Sequence, residues 1–292
     1  MQQGLIVNSY GRLFIVEVAG EKYQAVTKGK KTEFVVGDLV NLNLINSKQA
    51  QIIELLPRHS LIYRSDQNRS KIIASNLALL IIVIAVKPNF NINFLNSCLL
   101  CAESSRIQPL ILINKTDLDE SARFSQEIKA LYATKLGYEV IELSALTSCE
   151  QLQPHLAQRR SLLIGQSGVG KSTITNQICP AAAARIGEMT QDEHSGRHTT
   201  TNASLYHVNA STDLIDCPGL QEFGLYHLVS SELAEYFPEM IPYLGRCKFS
   251  NCIHHNEPGC AIQDAHDAGI ITPQRYRFYL QLLTNLQSKK HY

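Results

Sequence analysis

The chain carries almost no net charge: 27 Lys and Arg against 26 Asp and Glu leave +1 with histidines neutral. A protein whose main partner is a phosphate backbone is often strongly basic, so contact with nucleic acid has to come from local patches. A long hydrophobic run is also missing. The longest, residues 77–86, is about half of the roughly 20 residues a membrane-spanning helix needs, and its Ile and Val content reads as a buried strand. The opening MQQGLIVNSYGRLF has neither the cationic start nor the apolar stretch of a signal peptide. Export and membrane insertion are therefore not expected, and a cytoplasmic location is. Disulfides do not fit that compartment. Of the eight cysteines, Cys247, Cys252 and Cys260 crowd beside histidines, which points to reduced thiols holding a metal. There is no internal repeat, and the only low-complexity tract is residues 181–184.

What remains is a globular chain of 292 residues, 45% hydrophobic and 18% charged, long enough for two or three domains. Residues 1 to about 57 hold short alternating segments at 13–18, 23–26, 34–44 and 51–56, a β-module of about five strands. A closed or partly open barrel fits it, of the OB or the SH3-like kind. Residues 57–76, with Arg58, Arg64, Arg69 and Lys71, read as a solvated linker. From Leu77 onward apolar strands (77–86, 110–114, 139–143, 161–164) alternate with helical periods (91–105, 121–136), which means a mostly parallel sheet with crossover helices. Residues 203–208 and 214–216 should form an antiparallel hairpin at one sheet edge. The pattern is helical again after Gly224, and Thr272 with Pro273 marks the start of a last helix whose apolar face is Tyr276, Tyr279, Leu280 and Leu283. The expected division is 1–60 barrel, 61–224 nucleotide domain and 225–292 helical zinc-binding domain.

Gly165, Gln166, Ser167, Gly168, Val169, Gly170, Lys171 and Ser172 satisfy the phosphate-loop pattern directly after a strand and directly before a helix. There the backbone N–H groups cradle phosphates, Lys171 reaches the β and γ oxygens and the Ser172 hydroxyl ligates Mg²⁺. Asn114-Lys115-Thr116-Asp117 selects the base, because a carboxylate at Asp117 accepts from both N1–H and the exocyclic amine of guanine. Asn114 would brace that loop and the Lys115 stem lie along the base. Ser144 and Ala145 follow the next strand, where an amide can meet the guanine O6. Asp216-Cys-Pro-Gly219 supplies a carboxylate that reaches Mg²⁺ through water and a glycine amide for the γ-phosphate. Between these, Thr199, Thr200 and Thr201 offer a hydroxyl that could close on Mg²⁺; which of the three does so is open. The position after Gly219, where many GTPases carry the water-orienting Gln, is Leu220, and Gln221 is one residue late. His198 or a group from a partner is the candidate substitute. With no arginine finger in the chain, slow turnover raised by a partner is expected.

In common GTPases the phosphate loop comes first. Here the order is NKTD, Ser-Ala, phosphate loop, Thr segment and DCPG, the same cycle opened at another point, so the segment after Gly219 runs straight into the C-terminal module. In that module Cys247, Cys252, His254 and Cys260 gather three thiols and an imidazole, enough for a closed tetrahedral structural zinc site, with His255 a competing ligand. Cys98 and Cys101 read as core. The basic linker and the tail from Arg275 to Lys290 are available for phosphate contact.

This order of NKTD, GQSGVGKST, GRHTTT and DCPGLQEFGL, between a short β-barrel and CxxxxCxHxxxxxC, resembles the RsgA (YjeQ) family of small ribosomal subunit biogenesis GTPases. The resemblance implies an OB-fold, a circularly permuted GTPase domain and a zinc domain. It also implies binding to the small ribosomal subunit and its rRNA late in assembly, with GTP hydrolysis stimulated by the subunit. It carries phosphate binding from Gly165 through Thr173, a catalytic role for His198, and zinc ligation by Cys247, Cys252, His254 and Cys260. A monomer working beside other assembly factors is expected.

Overall fold

A computed structural model describes residues 1–27, 33–65, 70–180, 203–217 and 224–288. They fall into two compact units, Met1–Ile62 with Ile72–Phe90 and Ser105–Gln221, and Tyr63–Lys71 with Asn91–Ser104 and Glu222–Tyr292.

The first unit opens with β1 (Gln2–Tyr10), β2 (Leu13–Val18), β3 (Glu21–Thr27), β4 (Leu39–Leu44) and β5 (Gln49–Leu55). Alternation sends Phe14, Val16, Ala25, Leu42 and Ile52 to a common interior. The order β1-β2-β3-β5-β4 closes through β1–β4 pairing into an OB-like barrel, with β3 and β5 parallel. Strand β1 escapes the alternation read from sequence because Ile6, Val7 and Asn8 are buried in succession where the register with β2 shifts. Such a bulge re-aims a side chain at the expense of periodicity. Of the segment expected over 34–44, only Leu39–Leu44 is strand. Residues before it fold around the fully buried Asp38, whose carboxylate accepts from Val35 N, Ser75 Oγ and the Arg58 guanidinium.

The stretch 57–76 is not a solvated linker. It carries β6 (Leu61–Ser65) and β7 (Ser70–Ser75), buries Ser60, Ser75 and Asn76, and commits Arg58 to Asp38. Its polar residues mislead because they are satisfied internally. Asn76 Nδ2, for example, donates to Gly37 O at 2.9 Å.

The apolar run becomes β8 (Leu79–Ala85), buried at all seven positions. After α1 (Ile92–Ser104), which belongs to the second unit, come β9 (Gln108–Asn114), α2 (Ser121–Ile128), β10 (Glu139–Glu142), α3 (Gln153–Leu156), β11 (Arg160–Gly165) and α4 (Lys171–Ile178). The helix expected over 121–136 is α2 continued by wider π turns over Lys129–Lys135. Strands β10-β9-β8-β11 are parallel neighbours, and β13 (Thr212–Asp216) joins β11 in parallel. Strand β12 (Ser204–Asn209) pairs antiparallel with β13, giving the expected hairpin. It is not at an edge. Asn8 of β1 pairs with Ser204, so sheet and barrel merge into eleven strands, and the barrel covers groups a free edge would expose.

In the second unit α1 carries Cys98 and Cys101 wholly buried, as core. Two helices close the chain, α5 (Ala261–Asp267) and α6 (Pro273–Gln287), the latter capped by Thr272 Oγ1 accepting from Arg275 N. Tyr276, Tyr279 and Leu283 form its buried face. Arg275 is not available for phosphate. Its guanidinium is fully buried, donates to Glu239 Oε1 at 2.6 Å and Asn96 Oδ1 at 2.9 Å, and lies 4.7 Å from the Phe237 ring centroid. Lys290 lies outside the described residues, among which no helix is long and apolar enough to cross a membrane.

Candidate nucleotide site and metal centre

In an open parallel sheet the loops leaving the carboxyl ends of the strands converge on one rim. All the described motifs leave there: Asn114 ends β9, Gly165 ends β11, Asp216 ends β13, and Ser144 follows β10 by one residue beyond Leu143. The fold therefore brings together groups up to a hundred residues apart in sequence. His198, Thr199, Thr200, Thr201 and Gly219 lie outside the described residues, as do Leu220 and Gln221.

The phosphate loop turns into α4 through Gly170 at φ +100°, a left-handed conformation that costs a residue with a Cβ and costs glycine little. A Cβ here would also collide with Asn114 Nδ2. Lys171 Nζ folds onto the loop, donating to Gly165 O at 2.7 Å and Gln166 O at 2.9 Å. Burial lowers the Lys171 pKa, opposed by Asp216 and Cys217. Burial raises that of Asp216, opposed by Lys171 and an N–H bond from Cys217. Asp216 Oδ1 is buried with no hydrogen-bond partner among the described residues. A buried carboxylate oxygen without a donor, in the field of the phosphate-loop lysine, suits an outer-sphere role toward a hydrated Mg²⁺.

The Asn114–Asp117 segment is tied to this loop. Asn114 Nδ2 donates to Val169 O at 2.8 Å, and Asn114 Oδ1 accepts from Ala145 N at 2.9 Å. Lys115, at φ +63°, lays its stem across the site and donates from Nζ to Gly168 O at 2.6 Å and Lys87 O at 3.1 Å. Ser144 Oγ donates to Asp117 Oδ1. Beside Asp117 and Ser144 opens a cavity of about 700 Å³, bounded also by Thr116, Ser121, Glu142 and Thr147. Ser167 lies in the loop, and Ser172 and Thr173 lie in the first turn of α4. The link through Lys87, on the loop after β8, has no motif and is invisible in the sequence.

In the second unit Cys247, Cys252, His254 and Cys260 place their ligand atoms within 4.8 Å of one another. His254 Nδ1 lies 3.5, 3.4 and 3.5 Å from the sulfurs of Cys247, Cys252 and Cys260, and Cys247 Sγ is 3.9 Å from Cys260 Sγ. A tetrahedral zinc with metal–sulfur bonds of ~2.3 Å and a metal–nitrogen bond of ~2.0 Å has S–N edges of roughly 3.5 Å and S–S edges of roughly 3.8 Å. The three S–N edges and the Cys247–Cys260 edge match those values, and the donor set of three thiols and an imidazole suits that ion. His255 is exposed and outside the cluster, its amide donating instead to Glu257 Oε2 at 2.9 Å. The Glu257 carboxylate also accepts from Ile253 N at 2.8 Å and Asn256 N at 3.1 Å, and so shapes the turn that presents His254. Nothing in its sequence context marks Glu257.

The family model described as RsgA GTPase matches residues 55–226. The small ribosomal subunit biogenesis GTPase RsgA of Neisseria meningitidis serogroup C (strain FAM18) is 44% identical over 281 residues, 96% of this chain and 91% of that protein. The protein of the same name from Burkholderia pseudomallei (strain K96243) is 42% identical over 287 residues, with the same coverage. Among solved structures, YjeQ from Thermotoga maritima superposes with a TM-score of 0.77 at 26% identity, covering 99% of each chain. YloQ, titled a circularly permuted GTPase, gives 0.73 at 27% identity, covering 100% of this chain and 97% of its own. With its motifs in permuted order on one sheet rim and this match over most of its length, the chain belongs to the RsgA GTPase family.

Proposed function

We propose that this GTPase acts in late maturation of the small ribosomal subunit, binding the subunit and its rRNA in the GTP form, activated by it and released after hydrolysis. The observation that supports the nucleotide part is the pair of hydrogen bonds by which Asn114 donates to Val169 O and accepts from Ala145 N, tying the guanine and phosphate segments of this reading together. The partner is supported by what the relatives are named for.

In this reading Asn114, Lys115, Asp117, Ser144 and Ala145 hold guanine, and the loop from Gly165 to Thr173 holds the phosphates. On nucleotide binding Lys171 leaves the carbonyls of Gly165 and Gln166 for the β and γ oxygens, an exchange of one set of acceptors for a more charged one. Ser172, one of Thr199, Thr200 and Thr201, and Asp216 through water would hold Mg²⁺, which supplies charge neutralisation at the phosphates. Gly219 reads the γ-phosphate. Leu220 has no polar atom to orient water, so His198 is assigned to the water, with the subunit completing the site. Cys247, Cys252, His254 and Cys260 hold one structural zinc. The division 1–60, 61–224 and 225–292 is retained, as are the monomeric state, the cytoplasmic location and work alongside other assembly factors.

Leu220 also favours a second reading, an RNA-binding scaffold with incidental turnover. GTP turnover with and without purified small subunits, with Lys171→Ala as control, separates them. Stimulation that vanishes in the variant supports the enzyme, and absence of stimulation moves the weight to the scaffold or to another partner.

A further inference from the structure

We propose that Asn8, a residue of the barrel, is a positioning residue for the GTPase centre, holding β12 in the register that fixes Asp216. Three residues stand in one row across three strands: Asn8 pairs with Ser204, and Ser204 with Asp216. Residues directly opposite each other in antiparallel strands share a face of the sheet, so the row runs from the barrel to the carboxylate at the phosphate rim. The join is made by side chains as well as backbone. Asn8 Nδ2 donates to Ser204 Oγ at 2.7 Å, and Asn8 is 4% exposed. The register of β1 with β2 shifts between Ile6 and Asn8, right where this contact to β12 is made.

A second clasp holds the same hairpin further along. His207, opposite Asp213, contacts it through Nδ1 at 2.7 Å and reaches Glu17 of the barrel through Nε2 at 3.1 Å. Asp213 in turn meets Arg160 Nε at 3.0 Å, and Arg160 Nη1 donates to Gly37 O at 2.9 Å. Held at both rungs, the hairpin would carry a displacement of the barrel to Asp216.

The inference rests on the Mg²⁺ role given to Asp216 above. It is tested on the full chain by the affinity of a non-hydrolysable GTP analogue with Mg²⁺, of GDP in EDTA, and by amide hydrogen exchange over β12. Asn8→Ala and Ser204→Ala should each weaken the analogue about tenfold, leave GDP in EDTA within about twofold, and speed exchange in β12. The double variant should be no worse than either single one, and Ser204→Thr, which keeps the hydroxyl, should behave as wild type. Asn41→Ala, which removes an exposed bond to Glu54 elsewhere on the barrel, is the control and should change nothing. Faster exchange with unchanged analogue affinity would overturn the positioning role, and so would an equal loss of GDP in EDTA. Wild-type GTP turnover measured alongside keeps this result separate from failure of the GTPase reading itself.

Discussion

The carboxamide of Asn114 is divided between two loops, its nitrogen bound to Val169 O and its oxygen to Ala145 N. One 2% exposed side chain thereby fixes the phosphate loop against the loop that follows β10. Asn114→Ala leaves both backbone groups buried and unmatched, each at a cost of about 1–3 kcal/mol. Affinity for GDP and GTP should fall together by more than tenfold, measured by fluorescent-nucleotide titration. A variant that loses only GTP would mean that the bridge senses the third phosphate and does not set the span.

Arg275 and Glu239 form a charge pair with side chains 0% and 5% exposed. Removing one partner strands the other charge, so Arg275→Met should destabilise the protein by about 3–5 kcal/mol. The double variant Arg275→Met, Glu239→Gln should recover part of that loss in denaturant unfolding. Equal losses in the single and double variants would show that packing against Phe237, and not charge, is what Arg275 supplies.

Metal analysis of protein purified without added metal should find about one zinc per chain. Burial, together with the neighbouring thiols of Cys260 and Cys247, pushes the Cys252 thiol up to about 12, so a Cys252 thiolate at neutral pH requires a cation beside it. A strong chelator should open residues 247–260 to protease while GDP binding persists. Unchanged proteolysis after the zinc is gone would remove its structural role.

Burial would raise the Glu257 pKa, but donation from the amides of Ile253, His255, Glu257 and Asn256 lowers it to about 2. A group depressed on folding contributes above its unfolded value near 4.5, and that contribution is lost as pH falls toward 2. The difference in unfolding temperature between wild type and Glu257→Gln should be full at pH 7 and shrink below about pH 4.5. Acid sensitivity of the thiolates is common to both proteins and cancels. A difference that stays flat down to pH 3 would show that the carboxylate charge is not what shapes the turn.

The parts of the fold that were legible are those whose signal is local. Strand β8 announces itself by seven consecutive apolar residues, and the phosphate loop by its glycines next to a lysine. Where burial is decided by distant partners the sequence is silent. Asn8 looks like an ordinary polar residue until Ser204 is beside it, and Arg58 and Arg275 look like surface cations until Asp38 and Glu239 receive them. The same blindness made residues 57–76 read as linker.

The pairing of Asn8 with Ser204 joins residues 196 apart in the chain. During synthesis the barrel strands, all within the first 55 residues, can associate early, whereas the outer side of β1 waits for β12 to emerge. Closing so long a loop is entropically slow compared with the hairpins on either side. The seam between β1 and β12 therefore cannot close until Ser204 has been made, after every other strand of the barrel is already available to pair.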